Sequence, residues 1–257
     1  MDEEPTATEP PAGAEVPDPP WRLPDRSHAA PRAPLTKDAI TDAALQVLDR
    51  DGMDGLSMRR VGEELGTGAA SLYWHVRNKE ELLQLLFERI TEEVELPAPD
   101  PSRWQEQLRE LADQTRAVLH RHRDSARISL GRIPSGPTLA LLTEWLFELL
   151  RPVGIPDRII AFTGDLMGLY TGAFAFEESL GIASPTGEEL PPEEIVRMLR
   201  DYVASLPEDR FPNTRGAADV LFSGDQDERY RFGVDLLIRG LETYAVTEPT
   251  PRSAARA

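Results

Sequence analysis

The sequence contains no cysteine. That excludes disulfides, thiol catalysis, iron–sulfur clusters and the usual structural zinc sites, and it fits a reducing compartment. Histidine is almost as scarce, at positions 28, 75, 120 and 122. His120 and His122 stand two apart on an expected helix, so they point about 200° apart and cannot chelate one metal together. No Gly-x-Ser-x-Gly, His-Glu-x-x-His or phosphate-loop motif occurs, and the chain shows no catalytic constellation. No enzyme, no metal site and no cofactor are expected. Positive charge is in the minority, with 28 Lys+Arg against 45 Asp+Glu and a net of −17. A globally basic, histone-like protein is excluded, but DNA binding through a local patch is not. No run approaches the roughly 18 apolar residues of a membrane span. The acidic, Pro-rich start is unlike a signal peptide. The expectation is a soluble cytoplasmic protein without membrane partners. A length of 257 residues with 40% hydrophobic content still allows a sizeable core in one or two domains.

What is present changes character along the chain. Residues 1–34 hold nine of the 23 prolines and seven acids against three arginines, with no periodic apolar pattern. They read as a disordered Pro-rich tail, the alternative being a docking arm using Trp21, Arg22 and Arg32. Residues 35–80 carry a net charge of −2, and residues 81–257 one of −11. The acidity therefore lies mostly outside the one segment that could face DNA. The stretches 181–190 and 206–224 read as loops and 247–257 as a C-terminal tail.

The periodic segments are helical and the fold class is all-α. Ala39, Ile40, Ala43, Ala44, Val47 and Leu48 form an i, i+3, i+4 stripe, with Thr36 as N-cap and Gly52 as stop. Ser57 caps a short helix that ends at Gly66, and a second short helix spans about Ala69 to His75. Asn78-Lys-Glu-Glu81 resembles a capping box opening a helix through about Glu95. Ser102-x-x-Gln105 opens another, to about His122. Further helices are expected over 135–150, 156–178, 192–204 and 226–245. No alternating run supports a strand.

A helix, a Gly66-Thr67-Gly68 break and a second helix have the spacing of a helix-turn-helix, with Val61, Leu65, Leu72 and Val76 facing inward. The start of the second helix in such a unit enters the major groove. The other reading is a helical hairpin in an all-α core, serving as a protein–protein module without DNA. The residues themselves decide between them. Leu72-Tyr73-Trp74-His75-Val76-Arg77-Asn78-Lys79-Glu80-Glu81-Leu82-Leu83 closely resembles the signature of the tetracycline-repressor (TetR) family, and Gly55-Leu56-Ser57-Met58-Arg59-Arg60-Val61 looks like its preceding helix. His122-Arg123-Asp124-Ser125-Ala126 with Leu130-Gly131 and Pro134, and then Phe232–Glu242, are similar to parts of the tetracycline repressor's own C-terminal domain type. The resemblance covers about 35–245. It implies a bacterial transcriptional repressor, homodimeric and all-helical, with a helix-turn-helix domain over 35–80 and a ligand-binding and dimerisation domain over 81–246. An activator of the same family is the alternative role.

Carried over position by position, the resemblance makes Arg59 a base contact. It places Ala69, Ala70, Ser71 and Tyr73 among recognition-helix contacts, and Ser57, His75 and Lys79 among phosphate contacts. Arg59 can fork onto a guanine, and Lys79 sits at a helix start whose free N–H groups attract phosphate. Trp74 is expected to pack between helices. The partners implied are a palindromic double-stranded operator, a second copy of the chain and a small effector.

In the larger domain, Gly164, Gly168 and Gly172 recur every four residues, and Gly233 and Gly240 stand seven apart. On helices each set forms a flattened face. With Leu237 they are expected at a four-helix dimer interface, the alternative being an intrachain contact. Phe87, Trp104, Leu108, Leu111, Trp145, Leu149, Met167 and Tyr170 are candidates for an apolar, aromatic-walled pocket. Ser129, Arg132, Pro134 and Glu177 join them by family register. Ser129 stands where tetracycline-binding members hold drug-bound magnesium with a histidine, and Glu95 falls near another drug-binding histidine. Only Glu177 matches an acidic position that helps hold the metal's water. A hydroxyl is a poor ligand for a divalent cation beside imidazole. The expected effector is therefore apolar and partly aromatic, and not tetracycline–magnesium.

Overall fold

The computed structural model describes residues 34–130, 132, 136–180 and 190–245. Apart from Pro34, these belong to the unit Leu35–Ala257. The two expected tails, save Pro34, and the 181–190 loop, save Leu190, lie outside the described residues. All regular elements among the described residues are helices.

The first helix, α1 (Lys37–Gly55), starts where the Thr36 hydroxyl accepts the Ala39 N–H at 3.1 Å. Its stripe of Ile40, Ala44, Val47 and Leu48 is fully buried. Gly52 breaks the helical geometry at φ 72°, and one further turn follows it. That backbone conformation favours glycine. A Cβ there would also sit 2.8 Å from the Asp124 carboxylate. Ser57 caps α2 (Met58–Glu64) by accepting the Arg60 N–H at 3.3 Å. The next helix, α3 (Ala69–Leu72), is shorter than expected, because residues 73–75 form a turn closed by His75 and Val76 N–H bonds to the Leu72 carbonyl.

Asn78 caps α4 (Lys79–Thr91) by accepting the Glu81 N–H at 2.8 Å. The Glu81 carboxylate reaches back to the Arg77 N–H at 2.8 Å rather than to the cap residue itself, and it also takes the Arg77 Nε and Lys37 Nζ at 3.0 Å. The helix ends at Thr91, before Glu95. Groups beyond it are claimed by α5 and the residue that follows it: the Glu95 N–H donates to Gln114 at 3.0 Å, and Glu93 is bound by Arg121 and His122.

Helix α5 (Trp104–Arg121) follows a 3₁₀ turn over Pro101–Arg103. Asp100, not Ser102, caps that turn, its carboxylate accepting the Ser102 N–H at 3.0 Å. Then come α6 (Ser125–Ser129), α7 (Pro137–Leu150), α8 (Asp157–Leu180) and α9 (Pro192–Ser205). The expected 206–224 loop contains two short helices, α10 (Pro212–Gly216) and α11 (Ala218–Leu221). Pro212 occupies the first turn of α10, where a missing N–H costs nothing, so it opens a helix there. Helix α12 (Gln226–Glu242) ends the described fold.

One expectation about membranes is corrected. An 18-residue stretch of α8 reaches a mean hydropathy of 1.4, enough by length and composition to cross a bilayer. Its glycines and threonines hide this from a search for unbroken apolar runs. In the fold α8 packs against α5, α6, α7 and α12, which accounts for part of its apolar character, since 39% of that stretch is buried.

Two main cores result. The first joins α1 to α4 through Leu48, Val61, Leu72, Val76 and Leu86, and it takes in Val118 of α5 and Ile128 of α6. The second joins α5, α7, α8 and α12 through Trp104, Trp145, Ile160, Tyr230 and Ile238.

The Glu81 cluster generates an acid-stability prediction. Its hydrogen bonds, first from the Arg77 backbone, then from the Lys37 and Arg77 side chains, lower its pKa from 4.5 to about 2. The folded-state value is depressed, so this stabilisation is complete above the unfolded value and is lost as pH falls towards 2. Glu81→Gln should reduce stability at neutral pH by roughly 1 kcal/mol. The gap from wild type should close between about pH 4.5 and pH 2 in urea titrations. A gap independent of pH would mean that the charge contributes nothing.

Candidate functional site

Two sites emerge, a surface at the N-terminal helices and a cavity in the larger domain. At the first, Gly62 lets α2 approach the start of α3 closely: a Cβ there would stand 3.0 Å from the Thr67 carbonyl and 3.1 Å from the Ala69 nitrogen. Buried Val61, Leu72 and Val76 turn the opposite faces outward. Arg59, Ala70 and Tyr73 are exposed, and Ser57, Ala69, Ser71, His75 and Lys79 are half-buried. These residues come from the starts of α2 and α4, from α3 and from the turn after it.

Several have partners already. Arg59 pairs with Glu63 at 3.2 Å and Lys79 Nζ reaches the Met53 carbonyl at 3.4 Å. The Thr67 hydroxyl donates to Ser71 Oγ at 3.2 Å. The Arg59–Glu63 pair is largely solvated, so exchanging the carboxylate for another acceptor costs little. Trp74 corrects the expectation of packing. It is 89% exposed, because Leu72 and Val76 take the inward positions on either side of the turn that carries it.

The cavity has a volume of about 370 Å³ and an apolar wall drawn from α4, α5, α7 and α8. Of the expected ligand residues, Phe87, Leu111, Ser129 and Arg132 line it. Met167 lines a neighbouring space of about 70 Å³. Trp104, Leu108, Trp145 and Leu149 belong instead to the second core, where the Trp145 indole donates to the Pro97 carbonyl at 2.6 Å. Large side chains gain most by filling a core, so the two tryptophans fill it, while Phe87 and Phe147 supply the aromatic part of the pocket wall. Tyr170 lies off the main cavity, stacked on Tyr230 with ring centroids 5.7 Å apart and donating to the Tyr230 carbonyl at 3.1 Å. Glu177 is also off the cavity, held by Arg229 at 2.6 Å. Pro134 lies outside the described residues.

The glycine row borders the cavity. Gly164, Gly168 and Gly172 line the cavity, and Gly168 is exposed. Their missing side chains leave a slot: nothing stands within 4 Å of a Cβ built on Gly168, and the Ser129 hydroxyl is 3.0 Å from one built on Gly172. Gly233 makes an intrachain contact, since a Cβ there would overlap the Tyr170 hydroxyl. Leu237 is half-buried against the second core, while Gly240 is open. The outward apolar face includes residues that sequence reasoning did not assign to an interface: Phe162, Leu166 and Leu169 on α8 with Phe232 and Leu236 on α12, each more than half exposed, Leu169 also reaching the cavity. Their i, i+4, i+7 spacing was a usable signal. The wall beneath is set by Tyr230, fully buried, whose hydroxyl donates to the Ala112 carbonyl at 2.8 Å and whose pKa burial pushes up to about 12.

Comparison with known proteins bears on both sites. Residues 40–86 match the tetR family of bacterial regulatory proteins, and residues 96–245 match the tetracyclin repressor-like C-terminal domain. The chain belongs to the tetR family. It is 32% identical over 228 residues to the HTH-type transcriptional repressor DrrR1 of Streptomyces coeruleorubidus, covering 86% of this chain and 83% of that protein. It is 32% identical over 214 residues to the class D tetracycline repressor protein of Escherichia coli, covering 82% and 90%. The fold is similar to that of Streptomyces coelicolor ActR in complex with actinorhodin, with a TM-score of 0.75, 42% identity and coverage of 84% and 99%.

The glycines allow a direct check of this geometry. Gly233→Ala should destabilise the fold by about 1–3 kcal/mol through overpacking against Tyr170. Gly168→Leu should leave the urea midpoint nearly unchanged, because its side chain enters free space. A large loss for Gly168→Leu, or none for Gly233→Ala, would contradict the placement of α8.

Proposed function

We propose that the protein is a cytoplasmic, ligand-responsive transcriptional repressor that binds a palindromic operator as a homodimer. An effector in the cavity releases it. The observation that carries this reading is the position of α4. Lys79 at its start belongs to the DNA-facing surface, and Phe87 and Thr91 in its last turns line the cavity. A ligand that fits the cavity better when α4 is displaced shifts the protein towards a state with altered recognition-helix spacing. Its leverage equals its difference in affinity between the two states. Bound operator weakens ligand binding by the same factor.

Arg59 and Tyr73 read bases in this account, while Ser57, His75 and Lys79 hold phosphates. Ala69 and Ala70 offer apolar contact, for example to a thymine methyl, and Ser71 a hydroxyl. The exposed Trp74 adds an aromatic surface beside them. The effector is an apolar, partly aromatic molecule, held without an obligatory metal because Ser129 offers a hydroxyl where a histidine would be needed.

Fluorescence anisotropy against a palindromic duplex selected from random DNA tests the DNA interface. Arg59→Ala should lose about 1–3 kcal/mol at one base pair per half-site. Lys79→Ala should weaken all duplexes alike and lower the salt slope by about one unit. Equal losses on selected and random duplexes for Arg59→Ala would remove its readout role. A wild-type protein that ignores DNA would instead favour a helical adaptor.

The dimer is assigned to the outward face of α8 and α12. Leu236→Glu changes an exposed side chain, so the fold should survive while the face gains a charge unsuited to burial. Sedimentation at micromolar concentration should show monomer, with operator affinity lost. A stable Leu236→Glu dimer would move the interface elsewhere.

A further inference from the structure

The cavity has one cationic side chain on its wall among the described residues, Arg132, and its environment is lopsided. The side chain is 17% exposed, and its Nη2 donates to Glu80 at 2.9 Å. Its Nε is buried with no hydrogen-bond partner among the described residues. Glu80, by contrast, is 75% exposed. A solvated carboxylate on a surface pair returns to water at little cost. A sheltered guanidinium with an unused donor gains most from a second, planar anionic partner, since its fork matches a carboxylate in two parallel hydrogen bonds. The one carboxylate on the wall, Asp165, is exposed on α8 and has no ion-pair partner among the described residues. The rest of the wall is mostly apolar, and the Gly168 slot leaves room for a flat body.

We propose that the effector is a planar aromatic carboxylic acid whose carboxylate takes the Arg132 guanidinium from Glu80. This rests on the cavity being the effector site. It also ties the charge of the ligand to the switch. Glu80 lies in the first turn of α4, next to Lys79, and the pair with Arg132 links that turn to the segment after α6. An incoming carboxylate removes the link at the DNA-facing end of α4, while the aromatic body presses on the Phe87 and Thr91 end of the same helix.

The test uses the full-length protein and three matched pairs of probes: benzoic acid and benzamide, 2-naphthoic acid and 2-naphthamide, and anthraquinone-2-carboxylic acid and its carboxamide. Affinities are read by equilibrium dialysis at pH 7.5. Within the best-fitting pair the acid should bind at least tenfold more tightly than the amide. Arg132→Gln should abolish that preference and leave amide binding within about twofold. Glu80→Gln, which frees the guanidinium, should tighten the acid several-fold and leave the amide unchanged. Equal affinity for acid and amide, binding of neither member of any pair, or an acid preference that survives Arg132→Gln would each overturn the inference. Failure of operator recognition strikes the proposed function and leaves this measurement standing. Intact operator recognition without an acid preference strikes this inference alone.

Discussion

Helix α4 is the constraint on which the rest of the structure depends. Its N-terminus is fastened to the helix-turn-helix by the Asn78 cap and by Glu81, which gathers the Arg77 backbone, the Arg77 side chain and Lys37 from α1. Its apolar side chains Leu82, Leu83, Leu86 and Ile90 close the first core. Its last turns form a wall of the cavity. A helix is stiff along its axis, so displacement at one end is felt at the other unless the caps give way. Arg89 adds to the attachment through Asp38 and Asp42 of α1.

The junction around residues 121–127 supplies the opposing anchor. Asp124 adopts φ 57°, and its carboxylate accepts the Met53 N–H at 2.7 Å. Gly52 must lack a side chain for this approach. Arg123 donates to the Arg50 carbonyl at 3.0 Å. The nearly buried His122 ring lies between Asp49 of α1 at 3.0 Å and Glu93 after α4 at 2.8 Å. The end of α1 is thus held by polar contacts from the larger domain, while α4 meets that domain both through apolar packing on Val118 and Ile128 and through the Glu80–Arg132 pair.

The helices and the helix-turn-helix were legible because their signals are local. Thr36, Ser57 and Asn78 each cap the helix that they precede, and Gly52 interrupts the helix that it was expected to stop. The errors came where a competing partner lies far away in sequence. Helix α4 stops short because Gln114 and His122 draw on the residues after it. Trp74 faces outward because the turn at 73–75 left only Leu72 and Val76 pointing inward. The pocket list mixed wall with core, since Phe87 and Trp104 are indistinguishable as apolar helix residues until their neighbours are known.

By itself, the sequence determined the all-helical class, the order of most helices and the family. Those depend on spacing within a turn or two of helix, and on motifs read in order. Tertiary structure alone decided which partner meets each apolar face. A row of glycines specifies a flat surface but not what lies across it, and here a cavity does. Whether an arginine is shelter-bound with a solvated partner, as Arg132 is, depends on side chains from distant helices. Burial is a property of the packed whole, and residue spacing along one helix does not contain it.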